Sequence, residues 1–445
     1  MRYGCKWLLG IIAAALLLSG CAMRTVDELY SPPKRSEEYN DLQMAMDSVM
    51  ANLEYCAPLS GENRQTVQMA DLNGDGEQEF LLFARGTGEK PLNILIFHHV
   101  DGDFQLAHTI ESSGYAFDLV EYVQMDERPG LELVVGRQVS EQILRSVCVY
   151  SFADEAVETV LSTQYSKFLT CDLDEDTYSE VLVLRPGQAD TDNGVAELYR
   201  CGDEGIERSM EVSMSEPVDQ IKRIMESRLV GGAPAVYVAS AVEGGAIITD
   251  VFSVVNGSFS NVSFSNESGT SVKTLRNYYV YASDIDDDGV IELPSLISMR
   301  ALSWKEPRDR EYLIRWYAMA ADGTEVDKKY TYHNYAGGWY LQLADDWGPR
   351  VVVEHEKSGY NEDRFVFYVW NETFTQAEKL LTLFVLTGTD REEEAMTGDR
   401  IILHKTDSSI FAAVLEEIAS DYGLSQQSLI DAFSLIRLDW KTGEM

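Results

Sequence analysis

Short apolar runs separated by polar turn residues make up most of the chain. Between about residues 62 and 338, runs such as FLLF, LNILIF, LELVVG and SVCVYSF are bounded by Gly, Asp and Asn. Apolar runs of this kind between turn residues are typical of β-strands. Within this region, the segment at residues 217–228 also has a spacing that a helix would explain. The pattern therefore predicts a long region of short β-strands.

A helical pattern precedes the strand region. At residues 36–55, apolar side chains recur at steps of three and four, which is the spacing of one face of a helix. Residues 36–61 are therefore predicted to form an N-terminal helix and a lead-in to the strands. The apolar positions are Tyr39, Leu42, Met46, Val49 and Leu53.

A different pattern begins after Gly338. Five apolar runs, WYLQL, RVVVEHE, RFVFYVW, LLTLFVLTG and RIILHK, are predicted strands, and two helical patterns follow them. Residues 339–445 are therefore predicted to form an α+β domain. The first predicted helix carries Ile410, Phe411, Val414, Leu415 and Ile418 on one face, and the second begins at the cap residue Ser425 and carries Leu429, Phe433 and Ile436.

Several large aromatic side chains lie in this C-terminal region. Such side chains usually lie in the core, so we predict that these are buried, with a sugar-binding platform as the alternative. They are Trp339, Trp347, Phe367, Tyr368 and Trp370.

An acidic phrase recurs at a regular interval within the strand region. It reads DLNGDGEQEF, DLDEDTYSEV and DIDDDGVIEL in its three full copies. Two weaker copies fall between them, and the five anchor residues lie 48 to 57 residues apart. Repeats with a period near 50 residues and about four strands each are typical of β-propeller blades. The anchors of repeats 1 to 5 are Glu79, Glu132, Glu180, Ala235 and Glu292.

Each full copy of the phrase places oxygen atoms at alternate positions. Side chains at positions 1, 3, 5 and 9 and the carbonyl at position 7 could surround one hard cation such as Ca²⁺. An EF-hand would require a glutamate at position 12 and a following helix, whereas β-type sequence follows here. We therefore predict three calcium loops, named after their repeats: loop 1 (residues 71–79), loop 3 (172–180) and loop 5 (284–292). The predicted ligands are Asp71, Asn73, Asp75, Glu77 and Glu79 in loop 1; Asp172, Asp174, Asp176, Tyr178 and Glu180 in loop 3; and Asp284, Asp286, Asp288, Val290 and Glu292 in loop 5.

Two of the copies depart from this pattern. In loop 3, Thr177 stands where the other loops have Gly76 and Gly289, and a β-branched residue resists the positive φ of a sharp turn. Loop 2 (residues 124–132) has Gln124 at its first position and an arginine at its fifth, so it is predicted to bind no metal. For all copies, the alternative is a loop held by Asx turns without calcium.

The strand region resembles the FG-GAP or VCBS-like repeats of integrin-type β-propellers. The resemblance rests on the three acidic phrases and covers residues 62–338. It implies blades arranged around an axis, with calcium holding the hairpin loops. The expected fold is therefore mainly β: a propeller of about five four-stranded blades with calcium loops, followed by the α+β domain.

The N-terminus resembles a bacterial lipoprotein signal. Basic residues precede an apolar run, and Leu-Ser-Gly-Cys follows it, as in a lipobox. A transmembrane helix is the alternative, but the run of about a dozen residues is shorter than the roughly 20 needed to span a bilayer. The resemblance implies removal of residues 1–20, lipidation of Cys21 and anchoring on the extracytoplasmic face of the cell membrane. Residues 21–35 would then serve as a tether.

The charge limits the partners that the chain can bind. Its net charge is −38, and such a surface repels nucleic acid and anionic lipid. An exported compartment would permit disulfides, but buried free thiols are an equal alternative. The cysteines concerned are Cys56, Cys148, Cys171 and Cys201.

No catalytic motif accompanies these features. GxSxG, HExxH, a Walker loop and a GxGxxG after a strand are all absent from the sequence. The sequence therefore favours a membrane-anchored, calcium-stabilised propeller that binds or scaffolds an extracellular protein or glycan of the cell envelope. An extracellular hydrolase or lyase built on a propeller is the alternative.

Overall fold

Six antiparallel β-sheets make up the described part of the chain in the computed structural model, so the fold is mainly β. Each sheet is formed largely by strands that follow one another in the sequence. The predicted signal peptide and tether lie outside the described residues. The structure describes residues 37–100, 103–139, 145–153, 156–187, 194–202, 205–215, 218, 220–278, 280–302, 312–357, 359 and 361–436.

The first four sheets share one plan, in which four consecutive strands pair in order. The first sheet also has a short edge strand, β1. Their strands are β1 (Glu54–Tyr55), β2 (Val67–Ala70), β3 (Glu79–Arg85), β4 (Leu92–Val100) and β5 (Asp103–Ser112); β6 (Ala116–Val123), β7 (Glu132–Gln138), β8 (Arg145–Ala153) and β9 (Ala156–Tyr165); β10 (Lys167–Cys171), β11 (Glu180–Arg185), β12 (Val195–Gly202) and β13 (Gly205–Ser213); and β14 (Gln220–Arg228), β15 (Pro234–Ala241), β16 (Ile247–Val255) and β17 (Ser258–Asn261).

The last two sheets have five strands each and recruit strands from further along the chain. The fifth sheet takes its last strand from near the C-terminus, and the sixth has the order β22-β23-β24-β26-β25. The strands are β18 (Leu293–Ser298), β19 (Tyr312–Met319), β20 (Glu325–Asn334), β21 (Trp339–Leu343) and β27 (Phe433–Leu435) in the fifth sheet; and β22 (Val351–Lys357), β23 (Glu362–Trp370), β24 (Ala377–Leu386), β25 (Ile401–Lys405) and β26 (Ile410–Leu415) in the sixth.

Helices are few and short in the described residues. The N-terminal helix is present as predicted and packs Leu42 and Met46 against the first sheet. The α-helices are α1 (Glu37–Val49), α2 (Arg391–Ala395) and α3 (Gln426–Ala432), and the 3₁₀ helices are Met50–Asn52, Glu243–Gly245, Val272–Thr274, Gly348–Arg350 and Glu417–Tyr422.

Buried side chains join each sheet to the next one in the chain. Phe83 of the first sheet meets Phe117 of the second edge to face, with ring centroids 5.1 Å apart. Tyr332 of the fifth sheet and Phe367 of the sixth are 5.4 Å apart in the same arrangement. Sheets 2 and 3, 3 and 4, and 4 and 5 likewise share clusters of buried apolar side chains. Burial of apolar surface between successive sheets therefore holds the chain together.

The first strands of three sheets also touch through polar side chains. The Tyr122 hydroxyl on β6 donates to Gln68 Oε1 on β2 at 2.7 Å. The Thr170 hydroxyl on β10 donates to Glu121 Oε2 on β6. The first strands of sheets 1, 2 and 3 therefore lie side by side, although they are not paired through their backbones.

The helix predicted at Ile410–Ile418 is wrong, because Ile410–Leu415 is strand β26. This strand pairs with β24 on one side and β25 on the other. Its first four residues are buried, so apolar residues occupy both of its faces and the alternation typical of a strand is lost. The helical alternative at 217–228 is also wrong, because Gln220–Arg228 is strand β14.

The predicted start of a new sheet at Trp339 is also wrong. The strand Trp339–Leu343 pairs with β20 and so belongs to the fifth sheet. The new sheet begins at Val351. The second predicted helix is confirmed in its first part as α3, which begins after the cap residue Ser425 and carries Leu429. The helix ends at Ala432, and Phe433, which was predicted to lie on it, begins strand β27. Residues 339–436 thus supply one sheet and parts of another, with little helix.

Candidate metal loops

Each acidic loop lies directly before a strand of a sheet, and loops 1, 2 and 3 are hairpins between two neighbouring strands. Loop 1 joins β2 to β3, loop 2 joins β6 to β7, and loop 3 joins β10 to β11. Loop 5 leads from an isolated pair of residues, Ser283 and Glu292, into β18. A strand follows each loop, as predicted, and not the helix that an EF-hand would have. In repeat 4 a tight turn, closed by a hydrogen bond from Leu229 N–H to the Ala233 carbonyl, takes the place of a loop.

The last glutamate of each loop is buried and fixed in the same way. Its Oε2 accepts a hydrogen bond from the N–H of the second loop residue, over 2.7 to 3.0 Å. The bond closes the loop from its far end back to its beginning. The four glutamates are Glu79, Glu132, Glu180 and Glu292, and their exposed fractions lie between 0 and 5%.

The first aspartate of each full copy caps the middle of its loop. Asp71 accepts from the N–H groups of Gly74 and Gly76 at 2.7 and 3.0 Å. Asp284 accepts from the N–H groups of Asp288 and Gly289 at 3.1 and 2.9 Å. These are the Asx-type contacts expected of such turns.

Loop 3 makes the same turn without a glycine. Asp172 Oδ2 accepts from Thr177 N–H at 3.1 Å, and Thr177 has a φ of 79°. Gly76 and Gly289 have φ values of 90° and 85° at the same position. The β-branched residue thus adopts a conformation that is strained for its type, and the surrounding loop must hold it there.

Loop 3 brings four carboxylates together. One oxygen from each of Asp172, Asp174, Asp176 and Glu180 lies within 4.8 Å of the others. Asp172 Oδ1 is buried and has no hydrogen-bond partner. Burial, followed by the three neighbouring aspartates, raises the pKa of Glu180 to about 8, against the effect of its backbone hydrogen bond. A divalent cation would supply the missing partner and reverse this repulsion.

Loop 5 brings three carboxylates together in the same way. Oxygens of Asp284, Asp286 and Glu292 lie within 4.8 Å of one another. Asp286 Oδ1 and Glu292 Oε1 are buried without a hydrogen-bond partner. Burial and the nearby aspartates raise the pKa of Glu292 to about 7. The predicted ligand Asp288 is instead held by the ammonium of Lys328, which extends from β20.

Loop 1 is arranged differently. The Asn73 amide donates to Asp75 Oδ2 and to Glu79 Oε1, both at 3.1 Å, so an N–H group faces the carboxylates. Among the described residues, the carboxylates of loop 1 are not gathered within 4.8 Å of one another as those of loops 3 and 5 are. Three residues were predicted to offer their carbonyl oxygens to the cation. The backbone N–H group of each donates a hydrogen bond to the aspartate two positions before it. They are Glu77, Tyr178 and Val290.

Loop 2 contains a cation of its own. Arg128 Nε donates to Asp126 Oδ2 at 2.8 Å, and Arg128 Nη2 lies 3.7 Å from Glu132 Oε1. Burial would raise the pKa of Asp126, but the hydrogen bonds and charge of Arg128 outweigh it and lower that pKa. The guanidinium therefore neutralises carboxylates that a metal would otherwise have to neutralise.

Basic side chains from neighbouring strands were not found by sequence reasoning. Lys328 reaches loop 5, and Arg200 Nη1 lies 3.8 Å from Asp174 Oδ2 of loop 3. Both lie at least 20 residues from the loop that they contact, so no local motif includes them. Arg128, in contrast, lies inside its loop and was visible in the sequence.

The remaining sequence predictions have mixed outcomes. The aromatic residues of the C-terminal region lie in the core as predicted: Trp339, Trp347, Phe367 and Trp370 are at most 4% exposed, and Tyr368 is half-buried. In the described part of the chain, no helix has the length and hydropathy to cross a membrane. All four described cysteines are free thiols: Cys56, Cys148, Cys171 and Cys201.

Comparisons with known proteins give no family. No protein-family model matches the chain, and no curated protein matches it. Among solved structures, the chain is similar to an exotype rhamnogalacturonan lyase, YesX, with 10% sequence identity and a TM-score of 0.30. The match covers 84% of this chain and 91% of that chain.

Proposed function

We propose that the protein is a lipoprotein anchored on the extracytoplasmic face of a bacterial membrane, where its calcium-stabilised β-scaffold binds or organises a protein or glycan of the cell envelope. The observation that carries the proposal is the pair of carboxylate clusters in loops 3 and 5. Each has at least one buried carboxylate oxygen without a hydrogen-bond partner. Oxygen donors in this number suit Ca²⁺ better than a soft metal.

We further propose that the first five sheets are the blades of a propeller. Two features support this arrangement: successive sheets pack face to face, and the first strands of sheets 1, 2 and 3 touch through side chains. Loops 1, 2 and 3 each join two neighbouring strands at the start of a sheet, and loop 5 lies between an isolated bridge and the first strand of its sheet, so the loops would gather at one end of the axis. The sixth sheet packs on the fifth through a shared core.

In this proposal, bound calcium stabilises the folded protein. Loops 3 and 5 hold like charges together at short range, and neutralising them removes a repulsion that opposes folding. The hydrolase or lyase alternative gains less support, because the gathered carboxylates are bound to the backbone of their own loops. Such an arrangement suits cation binding better than proton transfer to a substrate.

Thermal melting with defined cations tests the metal part of the proposal. We expect Ca²⁺ to raise the melting temperature of the metal-free protein, and Mg²⁺ to raise it less. Asp174→Asn and Asp286→Asn should each reduce the Ca²⁺ response, whereas the exposed control Asp390→Asn should not. Melting curves of the wild type that are the same in Ca²⁺ and in chelator would remove the metal hypothesis.

Cell fractionation tests the anchoring part. Cys21→Ser removes the residue that would carry the lipid, so this variant should leave the membrane fraction or remain unprocessed. A control substitution in the predicted tether, Ser31→Ala, should leave the protein in the membrane fraction. Retention of a cleaved, unlipidated Cys21→Ser chain would contradict the proposed anchor.

A further inference from the structure

The acidic loops are joined to one another by a backbone hydrogen bond that recurs between repeats. The N–H group of Leu131, at position 8 of loop 2, donates to the carbonyl of Asp71, at position 1 of loop 1, over 3.1 Å. The N–H group of Ser179, at position 8 of loop 3, donates to the carbonyl of Gln124, at position 1 of loop 2, over 2.7 Å. Each bond therefore connects the residue beside the closing glutamate of one loop to the first residue of the preceding loop.

Loops 1 and 2 also pack backbone against backbone. A Cβ atom on Gly74 would lie 1.6 Å from the carbonyl oxygen of Pro129, and a Cβ atom on Gly130 would lie 2.6 Å from that of Leu72. Only glycine allows such a close approach at these two points. Because the two backbones are in direct contact, a shift of one loop at this point must displace the other.

The series of backbone bonds stops at repeat 4. Position 8 of this repeat is Pro234, which has no N–H group to donate to loop 3. Arg228 of repeat 4 instead forms an ion pair with Glu175 of loop 3 at 2.8 Å, and both side chains are more than half exposed, so the pair contributes little. Loop 5 bonds to repeat 4 through a side chain, since the N–H group of Ile291 donates to the Ser227 hydroxyl.

The backbone bonds start from a residue on which a cation in loop 3 would act. Ser179 is the neighbour of Glu180, a predicted ligand whose carboxylate belongs to the loop 3 cluster. A cation that holds Glu180 in place would therefore also hold the N–H group of Ser179. Loop 2 is already neutralised by Arg128, so it needs no metal of its own to keep its shape. Ordering one element lowers the entropic cost of ordering the elements bonded to it.

We propose that loops 1, 2 and 3 respond to calcium as one unit, so that a cation bound in loop 3 also orders loop 1, while loop 5 responds separately. The inference rests on the proposed calcium function and adds that the metal acts on a loop two repeats away from its own site. The backbone bonds and the contact of loops 1 and 2 supply the continuous path that such coupling uses. In the proposed envelope-binding role, one cation would fix the shape of three neighbouring loops.

Hydrogen–deuterium exchange of the whole protein, measured by mass spectrometry in chelator and in saturating Ca²⁺, tests the coupling. The readout is the exchange rate in peptides that cover loops 1, 3 and 5. Ser179→Pro removes the N–H group that joins loop 3 to loop 2, as Pro234 does naturally in repeat 4, and its matched control Ser179→Ala keeps that group. Asp174→Asn and Asp286→Asn each remove one predicted ligand, from loop 3 and loop 5 respectively.

In the wild type, we expect Ca²⁺ to slow exchange in loops 3 and 5, and to slow it in loop 1 by roughly fivefold or more. Ser179→Pro and Asp174→Asn should abolish the loop 1 response, whereas loop 5 should still respond in both. Asp286→Asn should abolish the loop 5 response and leave that of loop 1, and Ser179→Ala should behave as the wild type. If Ser179→Pro disturbs loop 3 itself, Leu131→Pro, with Leu131→Ala as its control, breaks the link at loop 1 instead.

The outcomes separate the coupling from the calcium function on which it rests. Loop 3 responding without loop 1 would overturn the coupling, as would a loop 1 response that survives in Asp174→Asn. Loss of the loop 5 response in Asp174→Asn would overturn the separation of loop 5. Calcium that changes exchange in none of the wild-type loops would overturn the calcium function itself. The coupling is then decided in chelator, where loop 1 should exchange faster in Ser179→Pro than in Ser179→Ala, and equal rates would refute it.

Discussion

Arg128 occupies in loop 2 the fifth position, which is an aspartate in loops 1, 3 and 5. Its guanidinium contacts Asp126 and lies near Glu132. The arginine therefore neutralises the carboxylates of loop 2, as a bound metal cation would neutralise those of loops 3 and 5. Removing the side chain would leave two carboxylates facing each other. At the residue scale, we therefore propose that the charge of this one side chain decides whether such a loop needs a metal.

We expect Arg128→Ala to destabilise the protein by about 1 kcal/mol, because the arginine is half exposed and its ion pairs are partly screened. The control Arg85→Ala removes an exposed ion pair with Glu54 at 3.7 Å and should change stability little. Urea denaturation in chelator measures both. Equal free energies of unfolding for the two variants would contradict the role given to Arg128.

The raised pKa of Glu292 predicts how the metal-free protein responds to pH. Burial, with help from Asp286 and Asp288, raises that pKa from 4.5 to about 7. A carboxyl group with a higher pKa in the folded state binds its proton more tightly there. Its contribution to stability is therefore complete below about pH 4.5 and is lost as the pH rises toward 7.

For Glu292 we expect a loss on the order of 1–3 kcal/mol between pH 5 and pH 7.5. Glu292→Gln keeps the side chain neutral, so the difference in unfolding free energy between the two pH values should shrink. The exposed control Glu54→Gln should not change it. Urea denaturation of the three metal-free proteins at both pH values measures these differences. A pH difference in Glu292→Gln as large as that of the wild type would refute the role given to Glu292.

The sequence was enough to locate the acidic residues of each loop, because they lie within nine consecutive residues. The hairpin and its closing glutamate are therefore where the pattern placed them. Contacts that depend on the relative position of strands were not readable, as with Lys328 on Asp288. The Asn73 amide contacts are also a property of the folded loop, since the same side chain could have turned its oxygen inward.

Element prediction failed where a strand is buried on both faces. The apolar spacing of Ile410–Leu415 fits a helix as well as a strand, and pairing with two neighbours decides for the strand. Prediction succeeded where a local cap signals the start of a helix, as at Ser425. Local hydrogen bonds can be read from sequence, whereas sheet pairing depends on partners elsewhere in the chain.

The capping box of α3 predicts a measurable contribution to stability. Ser425 Oγ accepts from Ser428 N–H at 3.1 Å, and Ser428 Oγ accepts from Ser425 N–H at 2.8 Å. The helix places the buried Leu429 in the core shared by the fifth and sixth sheets. We expect Ser425→Ala to cost about 1 kcal/mol, against little for the exposed helix residue Gln427→Ala. Thermal or urea denaturation checks the pair, and equal stability would argue against the cap.

At the scale of the whole molecule, the chain crosses between the last two sheets more than once. The fifth sheet receives β21 from before the sixth sheet and β27 from after it. The core between the two sheets includes Tyr332, Trp339 and Phe367. The sequence indicated a change of pattern near residue 338 but not this return of the chain, because β27 is only three residues long and carries no strand signal of its own.

This topology predicts that residues 339–445 do not fold alone. A fragment cut at that point would separate β21 from its partner β20 and would expose the apolar face that now packs against Tyr332 and the rest of the fifth sheet. Exposed edges and apolar surface favour aggregation. We expect a broad, non-cooperative melt by circular dichroism and binding of a hydrophobic dye.

A longer fragment provides the matched comparison. Residues 262–445 keep β18 to β21 together with β27 and the sixth sheet, so the core between the last two sheets stays complete. This fragment should melt more sharply and bind less dye than residues 339–445, although it loses contacts with the fourth sheet. A sharp, reversible melt of monomeric 339–445 would mean that the sixth sheet and its helices form an independent domain, because the shared core would then be dispensable for folding.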